Sequence, residues 1–204
     1  MSTSHDPLTS AAYHASAGAY SDEWLRQPEP TDVYRLLDAH LVERGATADV
    51  GCGNGRDAHW LATRGFSPVV GLDPSEELLA IARRLFPDVA FRRAELPRLE
   101  GVDDACFDNV VCETVIMHLS PSDVPGAVAG LLRVLKPGGV LYLSWRVSEG
   151  EDRRLDDGRL YSAFPPDLVA AQLAGRAHVL HFEDVTSASS GKRVCRVVAK
   201  KATG

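Results

Sequence analysis

Three glycines and one aspartate stand out in this chain for their types and spacing. Gly51, Gly53 and Gly55 fall within the stretch "DVGCGNGRD" (49–57), and Asp73 ends the run "VVGLD". Glycine adopts backbone angles that other residues avoid and lets a ligand approach the main chain. Glycines alone are equally typical of a tight turn, but a carboxylate at a following strand end can accept two hydrogen bonds from a ribose. The G-x-G-x-G spacing lacks the third glycine position of a pyrophosphate site, so the pattern predicts an adenosine site without a pyrophosphate.

His118, which follows the stretch "ETVIM", is a candidate for acid–base chemistry. Histidine is the side chain that most often accepts a proton in catalysis, because its ordinary pKa lies near neutral pH. A lone histidine is also commonly a hydrogen-bonded structural residue. The sequence leaves both interpretations open.

A second polar group follows the apolar run "VLYLS". It consists of Trp145 and Arg146 and, beyond a charged stretch, Arg159 and Tyr161. Because arginine can bind a carboxylate through two hydrogen bonds, this group favours an acidic or polar small substrate. The competing interpretation is that the arginines pair with nearby aspartates of the charged stretch, namely Asp152, Asp156 and Asp157.

The composition narrows the class of protein. A chain of 204 residues is long enough for one domain with a sizeable core. A net charge of -6 disfavours a nucleic-acid partner, because such partners usually face a basic surface. The four cysteines show neither CxxC spacing nor a nearby histidine, so we expect free thiols and no metal site. The first twenty residues lack a basic start and an apolar run, which predicts a cytoplasmic protein without a signal peptide or membrane span.

Short apolar runs alternate with helical patterns along most of the chain. This alternation predicts a parallel sheet with helices on both faces, and ligands bind such sheets beyond the carboxyl ends of the strands. We expect disorder over residues 1–12, a helix between Thr31 and Gly45, a polar loop over 148–160 and a closing hairpin that adds an antiparallel edge strand. The predicted strands are 46–50, 67–73, 89–93, 107–113, 140–147, 178–186 and 193–201, and the other predicted helices are 56–64, 74–86, 124–135 and 166–175.

Four motifs occur in an order that identifies a family. The chain resembles the class I S-adenosylmethionine-dependent methyltransferases over about residues 13–200. The motifs are "ADVGCGNGRDA", "VVGLDPSEELLAIAR", "FDNVVCETVIMHLS" and "LLRVLKPGGVLYLSW". The resemblance implies an α/β fold, a Rossmann-like three-layer sandwich whose seven-stranded, mostly parallel sheet has an antiparallel terminal strand. It also implies one domain over 13–204, with S-adenosylmethionine as the methyl donor and S-adenosylhomocysteine as the product.

The same resemblance assigns roles to individual residues. Those expected around the cofactor are Asp49, Gly51, Gly53, Gly55 and Glu113 at its methionine part, Asp73 at the ribose, and Leu72, Pro74, Glu95 and Leu96 at the adenine. The segment "YHASAGAYSDEW" resembles the family's lid helix, so residues 13–30 are expected to form a lid in which Tyr20 and Trp24 close over the cofactor. The competing interpretation is that these aromatic residues only pack the lid. Residues expected at the substrate are Tyr13, Met117, His118, Trp145, Arg146, Arg159 and Tyr161.

The predicted function is methyl transfer by in-line displacement to an oxygen or nitrogen atom of a small molecule, which is EC 2.1.1 chemistry. A small substrate is expected because the segments inserted between the motifs are short. His118 is the expected general base, or alternatively a substrate ligand. The alternative function is a non-catalytic partner or sensor subunit that binds S-adenosylmethionine on the same fold. A nicotinamide-dependent oxidoreductase is disfavoured by the G-x-G-x-G spacing.

Overall fold

The computed structural model describes residues 6–148 and 150–203. Within these residues the strands, numbered along the chain, are β1 (Thr47–Val50), β2 (Val69–Asp73), β3 (Ala90–Arg93), β4 (Phe107–Cys112), β5 (Leu135–Arg146), β6 (Arg153–Arg154), β7 (Leu160–Tyr161), β8 (Ala177–Thr186) and β9 (Arg193–Lys201). The α-helices are α1 (Pro7–Ala15), α2 (Ala17–Arg26), α3 (Thr31–His40), α4 (Arg56–Thr63), α5 (Glu76–Leu85), α6 (Val124–Val134) and α7 (Asp167–Leu173). A 3₁₀ turn spans Ile116–His118.

Seven of these strands form one sheet in the order β3-β2-β1-β4-β5-β9-β8. The pairings from β3 to β5 are parallel, and β9 runs antiparallel to both β5 and β8. The expected mostly parallel sheet with an antiparallel terminal strand is therefore confirmed. The closing hairpin was expected to place its antiparallel strand at the edge of the sheet. The strand that runs antiparallel to the others, β9, instead lies between β5 and β8, and β8 occupies the edge.

Helices cover both faces of the sheet. Neighbouring residues on each central strand point to opposite faces, and both faces carry apolar side chains that are buried under helices. Val110 and Leu141 pack in the core below α6 and α7, whereas Val111 and Tyr142 pack in the core below α3, α4 and α5. All four residues of β1 are buried, as expected for the centre of a parallel sheet. The three-layer sandwich predicted from the sequence is thus present.

The amino-terminal segment differs from its prediction. Residues 7–12 were expected to be disordered but belong to α1, while residues 1–5 lie outside the described part of the chain. Asp6 caps this helix by accepting a hydrogen bond from the Thr9 amide at 3.0 Å. The same carboxylate binds Arg154 at 2.7 and 3.0 Å. The helix is therefore stabilised by a residue 148 positions away, which no local pattern reveals.

Two further segments were predicted incorrectly. The polar loop over 148–160 contains a two-stranded antiparallel ribbon in which Arg153 pairs with Tyr161. Helix α3 ends at His40 rather than at Gly45, and Leu41 is extended. The side chain of Asn109 on β4 binds the Val42 backbone at 2.8 and 3.0 Å, so a tertiary contact fixes this turn. None of the helices among residues 6–148 and 150–203 has the length and apolarity needed to cross a bilayer.

Candidate active site

A cavity of about 460 Å³ lies at the carboxyl ends of β1, β2 and β4. Ten of the twelve residues predicted to lie around the cofactor line it, namely Tyr20, Trp24, Asp49, Gly51, Gly53, Asp73, Pro74, Glu95, Leu96 and Glu113. The other two do not line it, since Leu72 is buried in the core and the cavity wall does not include Gly55. Gly55 precedes α4 with a φ of +84°, and a Cβ there would lie 2.6 Å from the Phe91 ring. Gly55 is therefore needed for packing behind the loop.

The other two glycines shape the floor of this cavity. Both have a positive φ, +77° at Gly51 and +55° at Gly53. A Cβ on Gly51 would lie 2.3 Å from Val115 Cγ2, whereas a Cβ on Gly53 would meet no atom within 4 Å. The Gly53 amide donates to Asp73 Oδ2 at 2.9 Å. This bond fastens the loop to the end of β2.

Asp73 is held in place by two backbone amides. Its Oδ1 accepts from the Ser75 amide at 2.9 Å, and its Oδ2 accepts from Gly53. Burial raises the pKa of Asp73 to about 6, against the opposing effect of these two amides. Each carboxylate oxygen can accept more than one hydrogen bond. The side chain is thus oriented and still able to bind two further donors from the cavity.

Two more carboxylates line the cavity near the ends of β1 and β4. Asp49 is buried, and its Oδ2 has no hydrogen-bond partner among the described residues. Burial, together with the charge on Asp57, raises the pKa of Asp49 well above its usual range. Glu113 accepts hydrogen bonds from the Tyr142 and Ser144 hydroxyls, each at 2.5 Å, and burial raises its pKa. The unpartnered oxygen of Asp49 is suited to a cationic ligand group.

Helices α1 and α2 cover the cavity as a lid. Thr9 Oγ1 accepts from the Leu160 amide at 2.8 Å, which ties α1 to β7 of the ribbon. His14 Nδ1 lies 2.5 Å from Glu77 Oε2 on α5. The side chain of Asn54 in the glycine loop donates to Ser21 on α2 at 3.1 and 3.2 Å. Sequence reasoning missed these lid fastenings, because each joins residues far apart along the chain.

A second cavity of about 430 Å³ adjoins the first. The two share the lining residues Tyr13, Tyr20, Trp24, Thr114 and His118. Six of the seven residues predicted at the substrate line the second cavity, namely Tyr13, Met117, His118, Arg146, Arg159 and Tyr161. The seventh, Trp145, does not line the cavity. Its side chain is 1% exposed and stacks on Phe164 with the ring centroids 6.0 Å apart, because β5 turns Trp145 into the core and Arg146 to the cavity.

His118 lies where the two cavities meet. Its Nδ1 is 2.7 Å from the carbonyl oxygen of Leu160, which can only accept, so Nδ1 carries the proton. Its Nε2 then accepts a hydrogen bond from the Tyr13 hydroxyl at 2.9 Å. Burial lowers the pKa of His118 to about 4, and the positive charges of Arg159 and Arg146 add to this effect. At neutral pH the ring is uncharged, and the lone pair on Nε2 accepts the hydrogen bond from the Tyr13 hydroxyl.

The two arginines have different partners. Arg159 pairs with Asp157 at 2.8 Å, as the competing interpretation predicted. Its guanidinium also lies 5.7 Å from the ring centroids of Tyr13 and Tyr20. Arg146 pairs with no carboxylate in the described part of the chain. It donates to the Tyr161 hydroxyl at 3.3 Å and lies 5.7 Å from the centroid of that ring.

The segment that contributes the glycine loop and the strand ends of the first cavity matches a known protein family. A family model described as "Methyltransferase domain" matches residues 48–143, which contain the glycine loop, Asp73 and Glu113. The chain belongs to the class I S-adenosylmethionine-dependent methyltransferases. The resemblance found from the sequence motifs is therefore confirmed.

Two curated relatives are about one-third identical to this chain over the segments that align. It is 31% identical over 147 residues to the putative methyltransferase YqeM of Bacillus subtilis, covering 67% of this chain and 58% of that protein. It is 33% identical over 179 residues to the arsenite methyltransferase of Aquipseudomonas alcaligenes, covering 77% of this chain and 49% of that protein. The chain thus spans about half the length of these two relatives.

A solved structure resembles this chain over 99% of its residues. It is the 1,6-didemethyltoxoflavin-N1-methyltransferase of Burkholderia thailandensis, with 1,6-didemethyltoxoflavin and S-adenosylhomocysteine bound. The TM-score is 0.78 at 23% sequence identity, and the match covers 99% of this chain and 92% of that one. At this level of identity the likeness demonstrates the shared fold.

Proposed function

We propose that this methyltransferase moves the methyl group of S-adenosylmethionine to an oxygen or nitrogen atom of a small molecule. The observation that carries the proposal is the pair of adjoining cavities that meet at Thr114 and His118. One cavity has the lining expected for an adenosine ligand, and the other has room for a small acceptor. Relatives named as methyltransferases, including one solved with a small molecule bound, support the same assignment.

The lining of the larger cavity fits S-adenosylmethionine. In this proposal Asp73 accepts the ribose hydroxyls while the Gly53 and Ser75 amides keep it oriented. Pro74, Glu95 and Leu96 lie along the adenine. At the opposite end, the unpartnered Oδ2 of Asp49 binds the methionine ammonium group, which keeps that buried carboxylate ionised. Because Gly53 has no side chain, the cofactor can lie against the main chain at this position.

The bound cofactor supplies an electrophilic methyl group on a sulfonium, and the protein has to align the acceptor with it. Alignment and the exclusion of water are therefore the main tasks of the chain's own residues. Tyr13, Tyr20 and Trp24 exclude water, because the lid holds all three against both cavities. The hydrogen bonds of His118 favour a positioning role, in which it orients Tyr13, over the expected role of general base.

Mass spectrometry of a reaction mixture tests the proposal. Purified protein, S-adenosylmethionine and pools of small metabolites are incubated together, and the expected product is a metabolite heavier by one methyl group. The Asp73→Asn variant is the negative control, because it weakens the predicted ribose contact. Cofactor binding without any methylated product would instead support the non-catalytic sensor or partner subunit. Failure to bind either S-adenosylmethionine or S-adenosylhomocysteine would overturn both interpretations.

A further inference from the structure

We propose that the second cavity binds a small aromatic carboxylate, with the carboxylate on the guanidinium of Arg146 and the ring against Tyr161. This inference rests on the proposed function and names the class of its acceptor. It is carried by three independent features of the cavity, which are its charge, the hydrogen-bonding state of Arg146 and its aromatic walls.

The charge of the cavity is opposite to that of the protein. The chain as a whole has a net charge of -6. The cavity nevertheless has one acidic residue in its lining, Glu23, against five basic residues, which are Arg146, Arg153, Arg159, Lys192 and Arg193. Two of the five are neutralised locally, since Arg159 pairs with Asp157 and Arg193 pairs with Asp184. A concave surface with an excess of one charge concentrates ligands of the opposite charge.

Arg146 has unused hydrogen-bonding capacity. Its Nε is buried and has no partner among the described residues, and its hydrogen bond to the Tyr161 hydroxyl is long at 3.3 Å. Buried N–H groups in proteins nearly always have an acceptor, and the guanidinium of Arg146, which lines the cavity, has only the long bond to Tyr161 within the part of the chain that the structure describes. A carboxylate fits best, because its two oxygens can engage two N–H donors of the same guanidinium.

Aromatic rings form part of the wall around this position. Tyr20 and Trp24 are stacked with their centroids 5.8 Å apart, and Tyr161 lies edge-on to His118 at 4.8 Å. Flat faces of this kind pack well against a planar ring. Because Arg146 and His118 contact the same Tyr161 ring, a ligand that spans Tyr161 reaches from the guanidinium to the junction with the first cavity. An aromatic acid of one ring has this shape and charge.

Calorimetric titration of the protein saturated with S-adenosylhomocysteine tests the inference. The probes are benzoate, 4-hydroxybenzoate and cinnamate, each compared with its uncharged carboxamide. We expect at least one acid to bind about tenfold or more tightly than its amide, and Arg146→Gln to abolish that preference. Arg146→Lys, which keeps the charge but loses the second N–H, should retain part of it.

The matched control is Arg84→Gln, which removes one positive charge from an exposed position on α5 outside both cavities. This variant should keep the full preference for the acid. Unchanged affinity of Arg146→Gln for S-adenosylhomocysteine shows that the variant is folded. Equal affinity for acids and amides in the wild-type protein, or an undiminished preference in Arg146→Gln, would refute the inference. Absence of S-adenosylhomocysteine binding in the wild-type protein would refute the proposed function instead.

Discussion

The buried state of His118 predicts an acid sensitivity of the folded protein. The pKa of this residue falls from 6.5 to about 4 on folding, mainly because burial disfavours the charged ring. Below pH 6.5 the His118 ring is therefore protonated in the unfolded chain, whereas in the folded protein it stays neutral until the pH approaches 4. The stability contributed by the neutral ring is complete above pH 6.5 and is lost as the pH falls toward 4.

The size of the effect follows from the same two pKa values. At about 1.36 kcal/mol per pKa unit, the loss between pH 7 and pH 4.5 is about 2.5 kcal/mol. The matched variant is His118→Asn, whose amide can keep the hydrogen bond to the Leu160 carbonyl but does not titrate. Raised carboxyl pKa values, such as those of Asp73 and Glu113, act in both proteins and cancel in the difference.

Urea denaturation at pH 7 and pH 4.5 measures this difference. The wild-type protein should lose about 2.5 kcal/mol more of its unfolding free energy over that interval than His118→Asn does. An NMR titration of the wild-type protein should place the His118 transition near pH 4. Equal losses in the two proteins, or a transition near pH 6.5, would refute the account of His118 as a buried neutral ring. A general base with an ordinary histidine pKa would give a rate that rises through that titration, whereas a pKa of about 4 predicts no such rise between pH 5.5 and 9.

Three other predictions concern the loop, the ribose contact and the lid. Asp73→Asn should weaken S-adenosylhomocysteine binding by about 1–3 kcal/mol in calorimetry, and equal binding would remove Asp73 from the cofactor site. The exposed carboxylate change Asp88→Asn is its control. Gly51→Ala should destabilise the protein by about 1–3 kcal/mol in urea, because the new Cβ meets Val115. Gly101→Ala shares the φ of +77° without that contact, so equal losses would disprove the steric explanation. Tyr13→Phe removes the hydrogen bond to His118 and should lower kcat/KM about fivefold, the equivalent of about 1 kcal/mol. Unchanged kinetics would show that this bond does not help close the lid.

The sheet and most of the first cavity could be predicted because their signals are local. Buried parallel strands appear as short apolar runs, and β1, β2 and β4 end at or directly before Gly51, Asp73 and Glu113, which line the first cavity. The positive φ of Gly51 and Gly53 explains why glycine is required there. Gly51, Gly53, Asp73 and Glu113 accordingly line the first cavity, whereas Gly55 and Leu72 do not.

The missed features depend on contacts between distant residues. Nothing local to Asp6 shows that Arg154 binds it, so α1 was expected to be disordered. The charged stretch after β5 forms a ribbon that is hydrogen-bonded to Asp6 and Thr9, which lie about 150 residues earlier in the chain. Trp145 and Arg146 are neighbours on β5, so their side chains point to opposite faces, and which of the two faces the cavity depends on how β5 packs in the sheet.

The wall shared by the two cavities restricts how this protein can be re-engineered. A substitution at Tyr13, Tyr20 or Trp24 changes the enclosure of both ligands at once, because each side chain lines both cavities. Met117 and Tyr161 line only the second cavity. Under the proposed function, acceptor preference can therefore be altered at these two positions without changing a residue of the cavity assigned to the methyl donor. A library designed to broaden the acceptor range should begin there and leave the three lid aromatic residues fixed.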